Sequence, residues 1–406
     1  MRLPAPVFRD SVAPGSMVDV RRSNLALVLG AIARADPGLH ATRAQVAAAT
    51  GLTKASVSSL VLDLLEAGLL RELGLTARGE RGRPGVGLAL NTLRAVMGME
   101  INVDYIAAGV LDLSGTVLFK EVRERNNRGS QPDSVLAELA LLAARARSTV
   151  GEQGVEVVGG GLAVPGLTGP GGARILAAPN LGWTDVDLDL GALLPEAPLV
   201  VSLFNEANAA ALAELRHRPG GDADFLFVSG EVGVGGGLVV GGELFTGPAG
   251  NAGEVGHVVV DPGGNRCSCG GTGCLETVAG QDAIFAAAGL PPGTGRSAAM
   301  RSLLDALAGG NAQARAAVER AGTHLGIAVA STARVMDIGA VVLGGHFAVL
   351  DEWLRNPLLA GLARYAPGRV ADGDVTVAAA GEWGAVLGAA GSALRSLVDA
   401  PYLLQA

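Results

Sequence analysis

Three cysteines and one histidine are the residues whose types and spacing most clearly indicate chemistry. Cys267, Cys269 and Cys274 lie close together, and His257 precedes them. Three thiolates and one imidazole make a complete tetrahedral set for Zn²⁺, and the intervening glycines let the loop fold around an ion. Because four protein ligands leave no open coordination position, the sequence predicts a structural zinc ion. Three buried free cysteines are the alternative.

Small polar side chains on a predicted helix are candidate DNA contacts. Thr42 and Thr53 are capping residues that begin two short helices, and Thr50-Gly51 ends the first, which is the pattern of a helix-turn-helix. The second helix has one apolar face, and its other face points outward, where it can approach base edges and phosphates. The candidate contacts are Arg43, Thr53, Lys54, Ala55, Ser56, Ser58 and Ser59. An ordinary three-helix packing unit is the alternative.

A predicted hairpin follows this helix pair directly. Leu69–Leu73 and Val86–Leu90 have strand patterns and flank a tip that is rich in arginine and glycine. Glycine lets a backbone approach a narrow groove, and arginine supplies the charge that the groove attracts. Arg81 and Arg83 are therefore further candidate DNA contacts. A wing is favoured over a solvated loop because of what precedes it.

The charge distribution agrees with a DNA-binding head. Residues 1–90 carry 11 Lys and Arg against 7 Asp and Glu, whereas the remaining residues carry 20 against 32, within a net charge of −8. Any nucleic-acid contact is expected in the mildly basic head. Apolar runs do not reach membrane-spanning length and the start lacks the apolar region of a signal peptide, so the expectation is a cytoplasmic protein without a membrane partner.

The elements that must position the cysteine cluster begin at Val96, where the pattern changes. Three short strands, a helix and a buried strand are predicted at Val96–Ile101, Tyr105–Leu111, Thr116–Val122, Leu136–Val150 and Val155–Val164. A comparable order recurs later, with strands at Phe225–Ser229, Gly237–Val240, Ala340–Leu343 and Val375–Ala379. The pattern predicts an α/β fold of two related lobes with mixed sheets and a ligand in the cleft between them.

Several motifs resemble those of the ROK family of repressors and sugar kinases. Thr42 to Asn91 resembles the family's N-terminal DNA reader, and the stretches Gly230–Gly237, Gly253–His257 and Cys274–Glu276 resemble its sugar-site signature; Pro179–Trp183 and Asn205–Ala210 match as well. The resemblance implies a winged helix-turn-helix joined to a two-lobed, actin-like (ribonuclease H-like) domain with a hexose-type ligand. The expected organisation is a tail at 1–15, the reader at 16–92 and the ROK domain at 93–406, with a hinge near 204 and 380.

Residue chemistry agrees with a sugar ligand. Each sugar hydroxyl both donates and accepts, so a sugar site needs carboxylates, amides and imidazole on a rigid backbone. His257 would bind zinc through one ring nitrogen and a hydroxyl through the other, so that the zinc braces the site. The candidate sugar-binding residues are Asn180, Asn205, Glu206, Glu254, His257 and Glu276. Taken singly, each carboxylate would be interpreted as a surface charge.

Two departures from the kinases of the family favour a regulator. Where those kinases have a glycine loop that cradles ATP phosphates, this chain has Glu100 to Tyr105, without glycine and with two carboxylates. At the position of the kinase base Asp stands Glu206, whose longer side chain displaces the carboxylate. The sequence thus predicts a sugar-responsive repressor of carbohydrate-utilisation genes, not an enzyme, that binds operator DNA as a homodimer or higher homo-oligomer. The alternatives are a glucokinase-like ATP-dependent sugar kinase with an appended head, and a DNA-binding protein whose body binds no ligand.

Overall fold

The computed structural model describes residues 17–35, 40–76, 85–169, 172–218, 224–290 and 296–404, which form two units. The smaller unit contains residues up to Arg94 together with those from Leu394 onward, and the larger contains Ala95 to Ala393. The break after Arg94 lies two residues from the expected boundary. The C-terminal residues, however, group with the head, whereas the sequence pattern assigned them to the body.

The smaller unit is built from three helices and a three-stranded sheet. Its elements are α1 (Met17–Ala33), β1 (Ala41–Thr42), α2 (Arg43–Thr50), α3 (Lys54–Glu66), β2 (Leu70–Thr76) and β3 (Gly85–Leu90), with the sheet order β1-β3-β2. Thr42 and Thr53 cap α2 and α3 as predicted, and Gly51 ends α2 in the left-handed conformation that favours glycine. The apolar faces of α1 and α3 are buried, at Leu25, Val28, Leu29, Ile32, Val57, Leu60, Val61 and Leu64.

The C-terminal residues of this unit pack on its first helix. A short 3-10 turn, Pro401–Leu404, contacts α1, and the guanidinium carbon of Arg22 lies 4.5 Å from the centroid of the Tyr402 ring. This contact explains why the end of the chain belongs to the head. A cation over an aromatic face is attracted by the ring quadrupole, so this contact stabilises the packing of the turn on α1 beyond what the burial of apolar surface contributes.

The larger unit contains the remaining strands and helices. Its strands are β4 (Arg94–Ile101), β5 (Tyr105–Asp112), β6 (Val117–Glu124), β7 (Glu156–Val164), β8 (Leu167–Thr168), β9 (Arg174–Ala178), β10 (Trp183–Asp187), β11 (Ser202–Asn205), β12 (Phe225–Gly230), β13 (Val234–Val240), β14 (Glu243–Leu244), β15 (Val341–Gly344) and β16 (Val375–Val377). Its helices are α4 (Pro132–Gly151), α5 (Glu206–Arg216), α6 (Glu276–Ala279), α7 (Gln281–Ala287), α8 (Arg296–Ala308), α9 (Ala312–Met336), α10 (Gly345–Val349), α11 (Asp351–Tyr365) and α12 (Gly384–Asp399), of which the last continues into the smaller unit.

Two five-stranded sheets of the larger unit share one topology. The first has the order β11-β7-β4-β5-β6 and the second β16-β15-β12-β13-β14. In each sheet three strands that follow one another in the chain pair antiparallel, and the outer strand on the other side pairs parallel. The repeated α/β organisation predicted from the sequence is therefore present. Among the described helices, none is both long enough and apolar enough to cross a bilayer.

Glycines allow β13 to pack closely against α5 and against the loop at Gly253. A Cβ atom added to Gly236 would lie 2.4 Å from the carbonyl oxygen of Gly253, and one added to Gly237 would lie 2.6 Å from the Cβ of Ala211. These distances are shorter than any van der Waals contact, so a larger residue at Gly236 would displace the loop at Gly253, and one at Gly237 would displace α5. The glycine run that follows Glu231 thus serves close packing beside the sites described below.

Candidate functional site

The predicted metal ligands come together in one cluster. The Sγ of Cys267 lies 3.6 Å from Nδ1 of His257, the Sγ atoms of Cys269 and Cys274 are 3.7 Å apart, and the four ligand atoms all lie within 4.8 Å of one another. His257 ends a 3-10 turn, and an isolated bridge between Val259 and Cys274 joins the two chain segments. The cluster can hold a metal ion.

Two of the distances between these atoms match those of tetrahedral zinc. With Zn–S bonds of about 2.3 Å and Zn–N bonds of about 2.0 Å, ideal geometry separates two sulfurs by about 3.7 Å and sulfur from nitrogen by about 3.5 Å. Burial raises the pKa of the thiols of Cys267 and Cys274, and the backbone N–H of Gly271 lowers that of Cys269. A dication bound here would stabilise all three thiolates, since metal coordination deprotonates thiols.

Four of the predicted sugar-binding residues lie beside the cluster. Nε2 of His257 lies 3.6 Å from a carboxylate oxygen of Glu254, while its Nδ1 lies 3.9 Å from Oε1 of Glu276. A Cβ atom placed on Gly233 would lie 2.5 Å from Oε2 of Glu276 and 3.7 Å from Nδ2 of Asn180, so these two side chains share the space that the glycine leaves. The imidazole therefore has one nitrogen toward the cysteines and the other toward Glu254.

The environment of Glu254 and Glu276 suits hydroxyl recognition. Burial raises the pKa of Glu254, and the neighbouring Glu276 raises it further, while His257 opposes the shift. Oε1 of Glu276 accepts hydrogen bonds from the Cys267 thiol at 2.9 Å and from the Ser268 hydroxyl at 3.1 Å. Carboxylates held in this way accept hydrogen bonds in fixed directions, which ring hydroxyls require.

Asn205 and Glu206 have other surroundings. The side-chain oxygen of Asn205 caps α5 by accepting from the N–H groups of Ala207 and Asn208, at 2.9 and 3.1 Å, and its amide donates to the carbonyl of Gly166 at 2.9 Å. Asn205 thus fixes the start of α5 and so positions Glu206, its first residue. Glu206 itself lines a separate cavity.

That cavity has a volume of about 350 Å³ and an acidic lining. Its carboxylates are those of Glu100, Asp104, Glu206, Glu231 and Glu382. The sequence interpretation treated Glu100 to Tyr105 as a missing phosphate loop and did not predict a site there. The two carboxylates at the position of the expected glycines were the available signal.

The turn at Glu100 to Tyr105 is closed by its own hydrogen bonds. The N–H of Asn102 donates to the carbonyl of Tyr105 at 2.9 Å, and the N–H of Val103 donates to the Asn102 side chain at 2.7 Å. The buried amide of Asn127 donates to the carbonyls of Asn102 and Tyr105. A phosphate cradle needs N–H groups that point at the ligand, and here two of them already have acceptors.

The predicted DNA contacts on α3 lie mostly on its solvent face. Thr53, Lys54, Ala55, Ser56 and Ser59 are exposed, and Ser58 is half-buried. Thr53 accepts from the N–H of Ser56 at 3.1 Å, so its hydroxyl also serves as the cap of the helix.

Three arginines are further predicted DNA contacts, and a fourth arginine lies close to α3. Arg43 forms an ion pair with Glu72 at 2.7 Å, and Arg21 donates to the Ser59 hydroxyl at 3.4 Å. A phosphate contact by Arg43 would therefore compete with this ion pair. Arg81 and Arg83 lie outside the described residues.

Comparison with known proteins identifies both parts of the chain. The model described as the ROK family matches residues 96–395, and the model described as the MarR family matches residues 26–81. Together the two matches cover nearly all of the larger unit and, in the smaller one, the second half of α1 and all of α2 and α3.

Individual relatives include regulators and kinases. The chain is 33% identical over 249 residues to a putative xylose repressor of Caldicellulosiruptor sp. (strain Rt8B.4), a match covering 60% of this chain and 61% of that protein, which is less than two thirds of its length. It is 34% identical over 248 residues to a glucokinase of Halalkalibacterium halodurans, covering 57% of this chain and 75% of that one. A solved ROK family transcriptional regulator, a homolog of the E. coli MLC protein, superposes with a TM-score of 0.78 at 24% identity, covering 95% of this chain and all of the other. That superposition shows the same fold over the head and the body.

Proposed function

The chain belongs to the ROK family, and we propose that it is a sugar-responsive transcriptional repressor that acts in the cytoplasm on carbohydrate-utilisation genes. Residues 16–92 are the DNA-binding domain in this proposal, and 93–406 are the sugar-binding domain with its hinge near 204 and 380. The observation that carries it is the presence, in one chain, of a capped helix-turn-helix with a polar outer face and a cluster of carboxylate and imidazole groups. Relatives named xylose repressors support the same assignment.

DNA is contacted, in this proposal, by the outer face of α3 and by the wing. Lys54 supplies a phosphate contact, and Ser56, Ser58 and Ser59 reach base edges, as the N-terminal residues of a recognition helix do. Arg43 exchanges its ion pair with Glu72 for a phosphate, and Arg81 and Arg83 enter the minor groove. Because such readers bind two half-sites, the active form is a homodimer or a higher homo-oligomer.

The sugar effector is held by Asn180, Glu254, His257 and Glu276, in this proposal, and Glu206 contributes from the adjoining cavity that it lines, where Asn205 positions it. A structural zinc ion, bound by Nδ1 of His257 and by Cys267, Cys269 and Cys274, fixes the ring so that Nε2 faces the sugar. Zinc supplies no reaction step here, because it has four protein ligands and no open position. D-xylose is the first effector to test, on the strength of the relatives' names.

Phosphoryl transfer is not part of the proposed function. The N–H groups of Asn102 and Val103 are engaged within their turn, and carboxylates surround the place where a triphosphate would lie. The negative charges of these carboxylates would repel the negatively charged triphosphate and so oppose nucleotide binding. A kinase related to the glucokinase above is the rival function. A coupled assay of ATP consumption separates the two, since sugar-dependent turnover would overturn the repressor assignment.

The decisive experiment measures DNA binding with and without sugar. Duplexes selected from a random library by the full-length zinc protein are footprinted alone and with a panel of aldoses that includes D-xylose. We expect one sugar to change protection at millimolar concentration and the others to have no effect. Identical protection under every sugar would contradict ligand control.

The two lysines of the chain provide a matched pair of substitutions for testing the DNA-binding domain, because one lies on α3 and the other lies in the larger unit. Lys54→Ala is expected to weaken binding to all duplexes and to lower the salt slope by about 1, the contribution of one phosphate contact. Lys120→Ala, which removes a cation from over the Trp383 ring in the body, should leave both quantities unchanged. Equal effects of the two substitutions would argue against α3 as the recognition helix.

A further inference from the structure

The acidic cavity of the larger unit has features that the proposed repressor function does not use. Its volume of about 350 Å³ lies within the range of small-molecule sites. Five carboxylates line it, at Glu100, Asp104, Glu206, Glu231 and Glu382, and the described lining residues include no Lys or Arg. A concave surface lined by charges of one sign focuses the field and raises the local concentration of the opposite ion.

Glu100 is the strongest indication that the cavity takes a ligand. Its side chain is 2% exposed, and its Oε1 accepts from the Tyr105 hydroxyl at 2.8 Å and from the Asn102 amide at 3.3 Å. Its Oε2 is buried and has no hydrogen-bond partner. Leaving a buried polar atom unsatisfied costs free energy, and an ammonium group in the cavity would stabilise the ionised form of this carboxyl group.

The arrangement of the carboxylates indicates an organic cation and not a metal ion. Among the described residues, the His257 and cysteine cluster is the one group of three or more ligating side chains close enough to share an ion. The carboxylates of the cavity are thus too dispersed for the compact coordination that Mg²⁺ demands. Phe227, Met300 and several alanines complete the lining and suit methylene groups.

We propose that this acidic cavity is a binding site for a small protonated amine, whose ammonium group lies among the carboxylates of Glu100, Glu206 and Glu231 and is held by their combined negative charge. A cation that is held by the field of separate carboxylates needs no compact coordination sphere. The site is distinct from the cluster at Glu254, His257 and Glu276.

Protonation agrees with this assignment. Burial raises the pKa of Glu100 to about 7, against the opposing hydrogen bonds from Tyr105 and Asn102. An ammonium group next to Glu100 favours its ionised form, so amine binding releases a proton and the affinity rises with pH between about 6 and 8. The other titratable groups facing Glu100 around the cavity are Asp104, Tyr105, Glu206, Glu231, His346 and Glu382.

Calorimetric titration of the full-length zinc protein with matched pairs of ligands tests the proposal. Putrescine is compared with 1,4-butanediol, which has the same length and no charge, and glucosamine with N-acetylglucosamine. We expect at least one amine to bind at least tenfold more tightly than its neutral partner. The pair that responds distinguishes a linear amine from an amino sugar. Equal binding within both pairs, or no binding by either amine, would overturn the proposal.

Substitutions localise the site. Glu100→Gln and, independently, Glu231→Gln are expected to weaken amine binding at least tenfold, whereas Glu352→Gln, on the exposed side of α11, should not change it. Thermal melts confirm that each variant folds, and the second cavity variant keeps the test valid if the first does not. Amine affinity that survives both cavity substitutions, or competition by Mg²⁺ alone, would contradict the assignment. Because these titrations contain no DNA, their failure would leave the repressor function untouched.

Discussion

The carboxyl group of Glu100 is buried in the larger unit, and its pKa is raised to about 7 by desolvation. In the unfolded chain the same group titrates near 4.5. Between these two values the folded state holds a proton that the unfolded state has lost. The contribution of Glu100 to the free energy of unfolding therefore falls as the pH rises through this window, by up to about 3 kcal/mol.

Glu100→Gln should remove this pH dependence, because a neutral amide of the same size cannot ionise. We expect the melting temperature of the variant, relative to that of the natural protein, to be higher at pH 8 than at pH 5. Melts of both proteins across this range, with Glu352→Gln as a control that follows the natural protein, provide the measurement. A constant difference between variant and natural protein at all pH values would mean that Glu100 is ionised throughout.

Cys274 is a second residue whose substitution has a defined outcome. It is 2% exposed, its Sγ is 3.7 Å from that of Cys269, and a structural metal contributes its binding free energy to folding. Cys274→Ala should reduce bound zinc from one equivalent to well below half and lower the melting temperature to that of chelator-treated natural protein. Atomic emission and melts with and without chelator test this. A variant that keeps one zinc, or a natural protein indifferent to chelation, would contradict the zinc assignment.

At the scale of residues, sequence reasoning reached some groups and missed others. The convergence of His257 with the three cysteines is confirmed, since cysteine spacing is itself a local signal for a metal site. The sugar-binding roles of Asn180, Glu254 and Glu276 stay predictions, although these side chains lie beside the cluster. The acidic cavity was missed, because most of its carboxylates are distant in sequence and meet only in the folded chain.

Helix α12 packs against α5 more closely than any residue with a side chain allows. A Cβ atom on Gly388 would lie 1.7 Å from the carbonyl oxygen of Ala209, a backbone atom that can move only with its helix. Gly388→Ala is therefore expected to destabilise the larger unit by about 3 kcal/mol, as overpacking of a rigid contact does. Denaturant unfolding measures the loss.

The control for this substitution lies at the end of α4. Gly151→Ala meets nothing within 4 Å and should be neutral or stabilising, because alanine has the higher helix propensity. If Gly388→Ala were as harmless as Gly151→Ala, the close approach of α12 to α5 would be wrong.

Elements were easier to predict where they carry local signals. Thr42, Gly51 and Thr53 specify the two helices of the reader through caps that depend only on neighbouring residues. Strand β13 begins at Val234, whereas the sequence pattern predicted a start at Gly237. The start was missed because glycine has a low strand propensity. Glycine stands in this strand because α5 packs so closely against it. The packing of Pro401–Leu404 on α1 could not be predicted, since it joins the two ends of the chain.

At the scale of the whole molecule, the proposed repressor couples two binding events, and this coupling is reciprocal. If a sugar lowers the affinity for operator DNA by some factor, the operator must lower the affinity for that sugar by the same factor, because both describe one free-energy cycle. Typical coupling free energies of about 1–3 kcal/mol correspond to factors of about 5–150.

We expect the effector identified by footprinting to bind more weakly to the DNA-saturated protein by the factor that it imposes on DNA binding. Calorimetric titration of the sugar with and without saturating operator gives both numbers, and Glu254→Gln, which removes a carboxylate from the proposed sugar site, should abolish the coupling while the DNA affinity without sugar stays unchanged. Unequal factors would contradict a two-state switch within a fixed oligomer and would mean that the sugar acts on a different population, such as a dissociated oligomer. Dilution of the protein across its assembly range distinguishes the two cases. Dilution would change the apparent coupling if the oligomer dissociates, and it would have no effect on a switch within a fixed oligomer.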